Sequence, residues 1–208
     1  MPYSLRLIED TLVPGARYRP ALGSAAGVLY LAAGDLHIEG DGAAATPLEP
    51  GRARLAAKPG AAVAGVSGAR ILRFELVRQP PPPAGGRVLL EHPMALDPGA
   101  SWLIRCDRVD FDRGGIALPH RHRGGGIRCL LHGRLDVTVG EGTARAMRPW
   151  DAWFESGKEP VLAVSSKDED TSFIRVSMLP AEIRGKSSMT YVDPGRSEER
   201  RVGKECRL

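Results

Sequence analysis

The sequence predicts an all-β protein: two jelly-roll β-barrels in tandem. Three observations predict it. Glycine (25) and proline (17) are frequent and aromatic residues make up only 5% of the 208 residues. That balance favours turns and short strands over long helices. Strand-like runs begin about every ten residues and end at Gly or Pro, the rhythm of an antiparallel sandwich or barrel. The two halves also align with each other at a constant offset of 99, which points to a duplicated β unit.

The alignment is carried by turn residues. Pro20, Gly27, Leu31, Gly34, Leu36, Pro50 and Ala53 fall on Pro119, Gly126, Leu130, Gly133, Leu135, Pro149 and Ala152 without a gap. A three-residue insertion then brings Ile71-Leu72-Arg73-Phe74 onto Phe173-Ile174-Arg175-Val176. Gly27–Leu31 and Ile127–Leu131 are apolar strand runs ending at a Gly turn, and Leu135–Val139 alternates with period two. Val161–Val164 and Ser172–Val176 are further strands, and no amphipathic helix longer than two turns is evident. Between the halves, Gln79–Gly86 holds four consecutive prolines, which neither join a β ladder nor continue a helix. The predicted organisation is a first barrel over 1–79, a linker over 80–86 and a second barrel over 87–195.

Residues 196–207 read RSEERRVGKECR, which is identical to the translation of a common sequencing-adapter read. The tail 196–208 is therefore expected to be an assembly artefact, with the natural C-terminus near Gly195. The net charge of +4 raises the question of nucleic acid. Without the five basic and three acidic residues of the tail, 24 basic and 22 acidic residues remain, a net of +2. No nucleic-acid partner is then expected. No run approaches the ~18 apolar residues of a membrane span, and the first residues carry no signal-peptide pattern. Cys106, Cys129 and Cys206 form no CxxC pair, so the expected setting is reducing and cytoplasmic.

The chemistry lies in the second half. In Pro119-His120-Arg121-His122-Arg123, one residue separates two histidines. On a strand, residues i and i+2 face the same way, some ~7 Å apart, where one metal accepts both imidazoles. The bland alternative is a surface pair in a basic loop. Glu155 shares a strand face with Trp153 and completes a two-His, one-carboxylate set, a composition suited to Fe(II), Mn(II) or Zn(II). Its alternative is a solvated strand end.

The run Gly115–Gly126, closed by Gly133, resembles the first motif of the cupin superfamily: a glycine, an H-x-H pair, a glutamate and a further glycine. Both histidines are present, but Gly126 stands where the glutamate belongs. Arg148–Glu155 resembles the second motif, with P-x-G-D altered to P-x-D, and its histidine position falls at about Val161. The resemblance covers most of the body and implies a bicupin whose first half is degenerate. It implies a metal at His120 and His122, with Glu155 as the third ligand the strand faces offer, acting on a small molecule, anionic where the arginines hold it, in dioxygenase-like or isomerase/lyase-like chemistry. A homodimer is implied by resemblance only. The competing class is a non-catalytic binding or sensor cupin, and the third a purely structural barrel.

If Gly126 keeps the inward parity of the missing glutamate, Arg128 faces inward too, and a buried guanidinium needs an anionic partner. That partner is either Glu155 or a substrate carboxylate, so Arg128 and Glu155 are the candidate catalytic residues. Gly124-Gly125-Gly126 either opens room for a ligand or is a plain flexible loop. His132, before a Gly turn, reads as a surface residue. Trp102, Trp150 and Trp153 read as core or pocket wall, and Cys106 and Cys129 as core thiols. Asp107, Asp110 and Asp112, alternating with Arg105, Arg108 and Arg113, read as a solvated face or a domain interface. The first half has Ala21 and Gly23 for the histidines, Ala33 for His132, Arg54 for Trp153 and Ala56 for Glu155. It therefore carries no comparable metal set.

Overall fold

The computed structural model describes residues 3–19, 24–39, 45–56, 61–78, 85–193, 195 and 205–207. The chain divides at Leu96/Asp97 into two compact units. The proline run of the linker, with Ala21 and Gly23 of the repeat, lies outside the described residues.

Unit 1 is one seven-stranded antiparallel sheet of β1 (Tyr3–Leu12), β2 (Arg17–Tyr18), β3 (Ser24–Ile38), β4 (Thr46–Leu48), β5 (Ala53–Ala56), β6 (Ala62–Arg78) and β7 (Arg87–Met94). β7 was assigned by sequence to the second barrel. Its backbone partner, however, is β1, from Tyr3↔Met94 to Glu9↔Arg87. A strand goes where its hydrogen-bonding partner is, so the division falls after β7 rather than at the prolines.

Unit 2 contains β8 (Trp102–Phe111), β9 (Ile116–His122), β10 (Gly126–His132), β11 (Leu135–Val139), β12 (Arg145–Met147), β13 (Ala152–Glu155), β14 (Val161–Ser165), β15 (Thr171–Pro180), β16 (Met189–Tyr191) and β17 (Glu205–Arg207). They form two five-stranded antiparallel sheets, ordered β13-β10-β15-β8-β17 and β12-β11-β14-β9-β16. This is a jelly-roll arrangement, as the sequence predicts. The only helix among the described residues is one 3₁₀ turn at Ala181–Ile183, and no helix is long and apolar enough to cross a membrane. Of the tail, Glu205–Arg207 is described, and its backbone pairs with Asp107–Val109 of β8. The core of unit 2 gathers Val109, Phe111, Leu130, Leu135, Val137, Met147, Trp153, Val161 and Phe173, with one apolar side of each strand turned inward.

The repeat is visible in hydrogen bonds. Leu31 N–H donates to Arg52 O at 3.0 Å, and Leu130 N–H to Asp151 O at 3.0 Å. Gly51 N–H donates back to Leu31 O at 2.8 Å, and Trp150 N–H to Leu130 O at 2.7 Å. Gly51 and Trp150 occupy the same turn position with φ of 79° and 75°. Glycine adopts that conformation freely, whereas a bulky side chain there is strained.

In unit 1, Glu9 accepts hydrogen bonds from Arg70 Nε at 2.6 Å and from Arg87 Nη2 at 2.6 Å. Burial alone would raise its carboxyl, but these bonds outweigh it and hold the group below the usual carboxylate range. A lowered folded value stabilises above the unfolded value and is lost as pH falls through the folded one. With both arginines partly exposed, Glu9→Gln is expected to cost about 1 kcal/mol at pH 7. Denaturant titration from pH 7 down to 3 should show the gap between the two proteins closing below about pH 4, the range where a free carboxyl titrates.

Candidate functional site

Four strands of one sheet and one of the other build the site. β9 turns His120 and His122 inward, while Arg121 between them is exposed and donates to Lys158 O at 2.9 Å. Across the opposite sheet, Trp153, Arg128, Arg175 and Asp107 form one row over β13, β10, β15 and β8. The neighbouring row is Glu155, Gly126, Ser177 and Arg105. Both rows follow from period two: the same parity that aims Leu130 and Phe173 into the core aims Arg128 and Arg175 there.

The two imidazole rings lie edge to face with centroids 4.9 Å apart. His120 Nδ1 lies 2.7 Å from Leu118 O, which makes Nδ1 the protonated nitrogen and Nε2 the one with a lone pair. His122 Nε2 is 3.5 Å from Glu155 Oε2. Glu155 Oε1 accepts from Trp153 Nε1 at 2.8 Å, and Oε2 lies 2.7 Å from Arg128 Nη2. That contact is an ion pair without hydrogen-bond alignment, and neither atom has another hydrogen-bond partner among the described residues. Arg128 Nη1 donates to Gly126 O at 2.6 Å. Asp107, fully buried, accepts from Arg175 Nε and from Arg105 Nε, each at 3.0 Å. Arg105 also donates to Lys186 O at 3.0 Å and Ser188 Oγ at 2.7 Å. His120, His122, Arg128, Trp153, Glu155 and Arg175 border a common cavity of about 30 Å³.

The ion-pair network joins three guanidiniums, Arg105, Arg128 and Arg175, to two carboxylates, Asp107 and Glu155; Arg128 and Arg175 border the cavity and Arg105 does not. Both histidines are held below the ordinary imidazole range. For His120 the cause is burial first, with Arg128 and Arg175 adding to it against the Leu118 carbonyl and Glu155. For His122 it is burial, then Arg128, Arg175, His120 and Arg105. Burial pulls Arg128 down to about 10, with Glu155 acting the other way, so it stays charged at neutral pH.

As placed, these residues do not fit a divalent ion. Glu155 is engaged by Arg128 and Trp153, and the guanidiniums of Arg128 and Arg175, which border the same cavity, repel a dication. Among the described residues, no three His, Cys, Asp or Glu side chains form a metal-ligating group. Val161, at the second motif's histidine position, lies opposite His120 and offers no donor.

His120, His122, Arg128 and Glu155, singled out from sequence, do converge. Glu155 is buried, not a solvated strand end, and His132 is exposed. Cys106 and Cys129 are buried, Trp153 walls the site, and Trp102 and Trp150 lie elsewhere, half-buried. The glycine triplet does not open room. A Cβ at Gly124 would lie 2.1 Å from Met178 O and one at Gly126 2.3 Å from Val176 O, so these glycines let β15 approach. The Asp/Arg alternation on β8 is no uniform solvated face. Arg108 and Asp110 are half-buried and pair with each other, whereas Asp107 is fully buried and is bonded by Arg105. Arg175 and Asp107 were missed as site residues. The signal was present: Arg175 aligns with Arg73, and Asp107 shares the parity of Val109.

No family model matches the chain, and no curated protein matches it by sequence. Its fold, however, is that of the cupins. AerE from Microcystis aeruginosa superposes with a TM-score of 0.65 at 12% identity, covering 84% of this chain and 88% of that one. An oxalate decarboxylase of Lactobacillus farciminis, in its formate complex, gives 0.65 at 13% identity over 91% and 80%. YhaK from Escherichia coli gives 0.56 at 16% identity over 85% and 86%.

Gly126→Ala is expected to destabilise unit 2 by about 1–3 kcal/mol, because the methyl meets backbone rather than a movable side chain. Gly126→Glu, which rewrites the family motif, should do so more severely. Thermal melts of the two variants against the parent chain test this.

Proposed function

We propose that this chain is a bicupin with a degenerate first unit, whose second unit binds a small anion in its interior at Arg128, Arg175 and the neutral His120–His122 pair. One observation carries the reading: the fully buried Arg128 borders the interior cavity with an Nη2 that has no aligned hydrogen-bond acceptor. A buried charge needs a partner. Arg128 Nη2 lacks an aligned acceptor, and an anion's oxygen supplies one, in the charge-assisted bonds arginine makes to carboxylates. The two imidazoles contribute neutral donors and acceptors. A cavity of about 30 Å³ suits an anion of formate size. The class is a small-molecule-binding cupin.

A second reading keeps the expected ion, Fe(II), Mn(II) or Zn(II), on His120, His122 and Glu155, with dioxygenase-like or isomerase/lyase-like chemistry. It is favoured by the His120 tautomer, which leaves Nε2 as the lone-pair nitrogen. It requires Arg128 to leave Glu155.

Glu155→Gln separates the two. It deletes a metal ligand but adds to the positive excess. In the presence of a chelator, formate should raise the melting temperature of the parent chain. Glu155→Gln should tighten formate binding several-fold, and Arg128→Met/Glu155→Gln, which removes both members of the ion pair and the guanidinium that would hold the anion, should abolish it. A stoichiometric metal lost in Glu155→Gln, with no response to formate, would overturn the anion reading.

A further inference from the structure

Unit 2 has a second, larger cavity of about 320 Å³, lined by Val137, Val139, Thr143, Arg145, Met147 and Trp153 among others. β12 and β13 are the terminal strands of the two sheets, so the sandwich is not closed by backbone pairing on that side. Val137 and Val139 come from β11, Arg145 and Met147 from β12 and Trp153 from β13. The cavity therefore lies between the two sheets on the side of β12 and β13. Trp153 borders both this cavity and the small one around His120 and His122.

We propose that the gap between β12 and β13 is the entrance and specificity pocket of the interior site, selecting an anion that carries an apolar body, with Trp153 as the partition between the two cavities. This rests on the anion reading above. Four features support it. The interior cavity is about a tenth the size of the outer one, so the bulk of any ligand larger than formate has its room outside. The outer cavity is within the ordinary range for small-molecule pockets, roughly 300–1,000 Å³. Its walls carry the apolar side chains of Val137, Val139, Met147, Trp153 and Phe154 beside the Thr143 hydroxyl and one guanidinium, Arg145, exposed and in no ion pair among the described residues. A free cation at an apolar mouth attracts an anion and leaves its body to the valines and Met147. Finally, the Trp153 indole is held on its polar edge by Glu155 Oε1 at 2.8 Å and stacks edge-on to Phe173 at 5.4 Å. Rotating it away costs one hydrogen bond and frees Oε1 beside Arg128, so entry and rearrangement of the charged interior are one event.

The test is calorimetric titration of the full chain with formate, phenylacetate and the neutral phenylacetamide. The variants are Val139→Trp, which fills the pocket from β11, and Thr143→Trp, which fills it from the exposed turn, with melting temperatures confirming the fold. Phenylacetate should bind, phenylacetamide at least tenfold more weakly, and both variants should lower phenylacetate affinity at least tenfold while leaving formate unchanged. Phenylacetate binding should also perturb tryptophan fluorescence in the parent chain and much less in Trp153→Phe. Unchanged phenylacetate affinity in both filled variants, with formate still bound, would overturn the pocket while sparing the anion reading. Equal affinity for phenylacetamide would overturn the anionic ligand class. Formate binding that survives Arg128→Met/Glu155→Gln would overturn the interior reading, whatever the pocket variants do.

Discussion

A guanidinium cannot shed its proton in a protein, so Arg128, at 1% exposure, fixes the terms on which the interior of unit 2 exists. Desolvating it costs several kcal/mol, and only closely placed acceptors return that cost. Glu155 sits 2.7 Å away because β13 pairs with β10 in a register that places it beside the Arg128 row. Trp153 then orients the carboxylate from its other oxygen. The histidines are neutral because burial disfavours their protonation and the same arginines add to it. Each feature of the site thus follows from admitting one charge that cannot be neutralised by titration.

The repeat shows that this choice is not imposed by the fold. Arg73 occupies the position of Arg175 and is equally buried. It bonds to Asp10 and to Glu75, and Tyr18 donates to Asp10. Arg6, also buried, lies across from Glu75 and pairs with Glu91. The turn skeleton is shared down to individual hydrogen bonds, so the frame admits a different set of buried charges in each unit.

Much of this was legible in the sequence, for a physical reason. Turns demand particular backbone angles, and Gly34 and Gly133, both with positive φ, mark the same corner of each copy. Period two placed His120, His122, Arg128 and Glu155 on inward faces without knowledge of the sheets. Which strands become neighbours was not legible. Hydrogen-bonding partners are non-local, so β7 was assigned to the wrong side of the proline run, and Arg175 and Asp107, more than forty residues away from Arg128 or beyond its hairpin, were not joined to it. Nor does composition distinguish a glycine that opens space from one that fills a close approach. Gly124 and Gly126 are of the second kind, since β15 backbone occupies the room a side chain would need.

That close approach also explains why the motif is broken as it is. With β15 tight against β10, no side chain fits at Gly126, and the carboxylate must come from elsewhere. Glu155 is the residue directly opposite Gly126 on β13, and facing residues of paired strands reach the same space. From there Glu155 meets Arg128, two residues along β10, as well as His122. A carboxylate on β10 itself would have shared its strand with Arg128; one on β13 lies between the guanidinium and the imidazole. With β15 backbone occupying the room a side chain would need at Gly126, the carboxylate that meets both Arg128 and His122 comes from the neighbouring strand, β13.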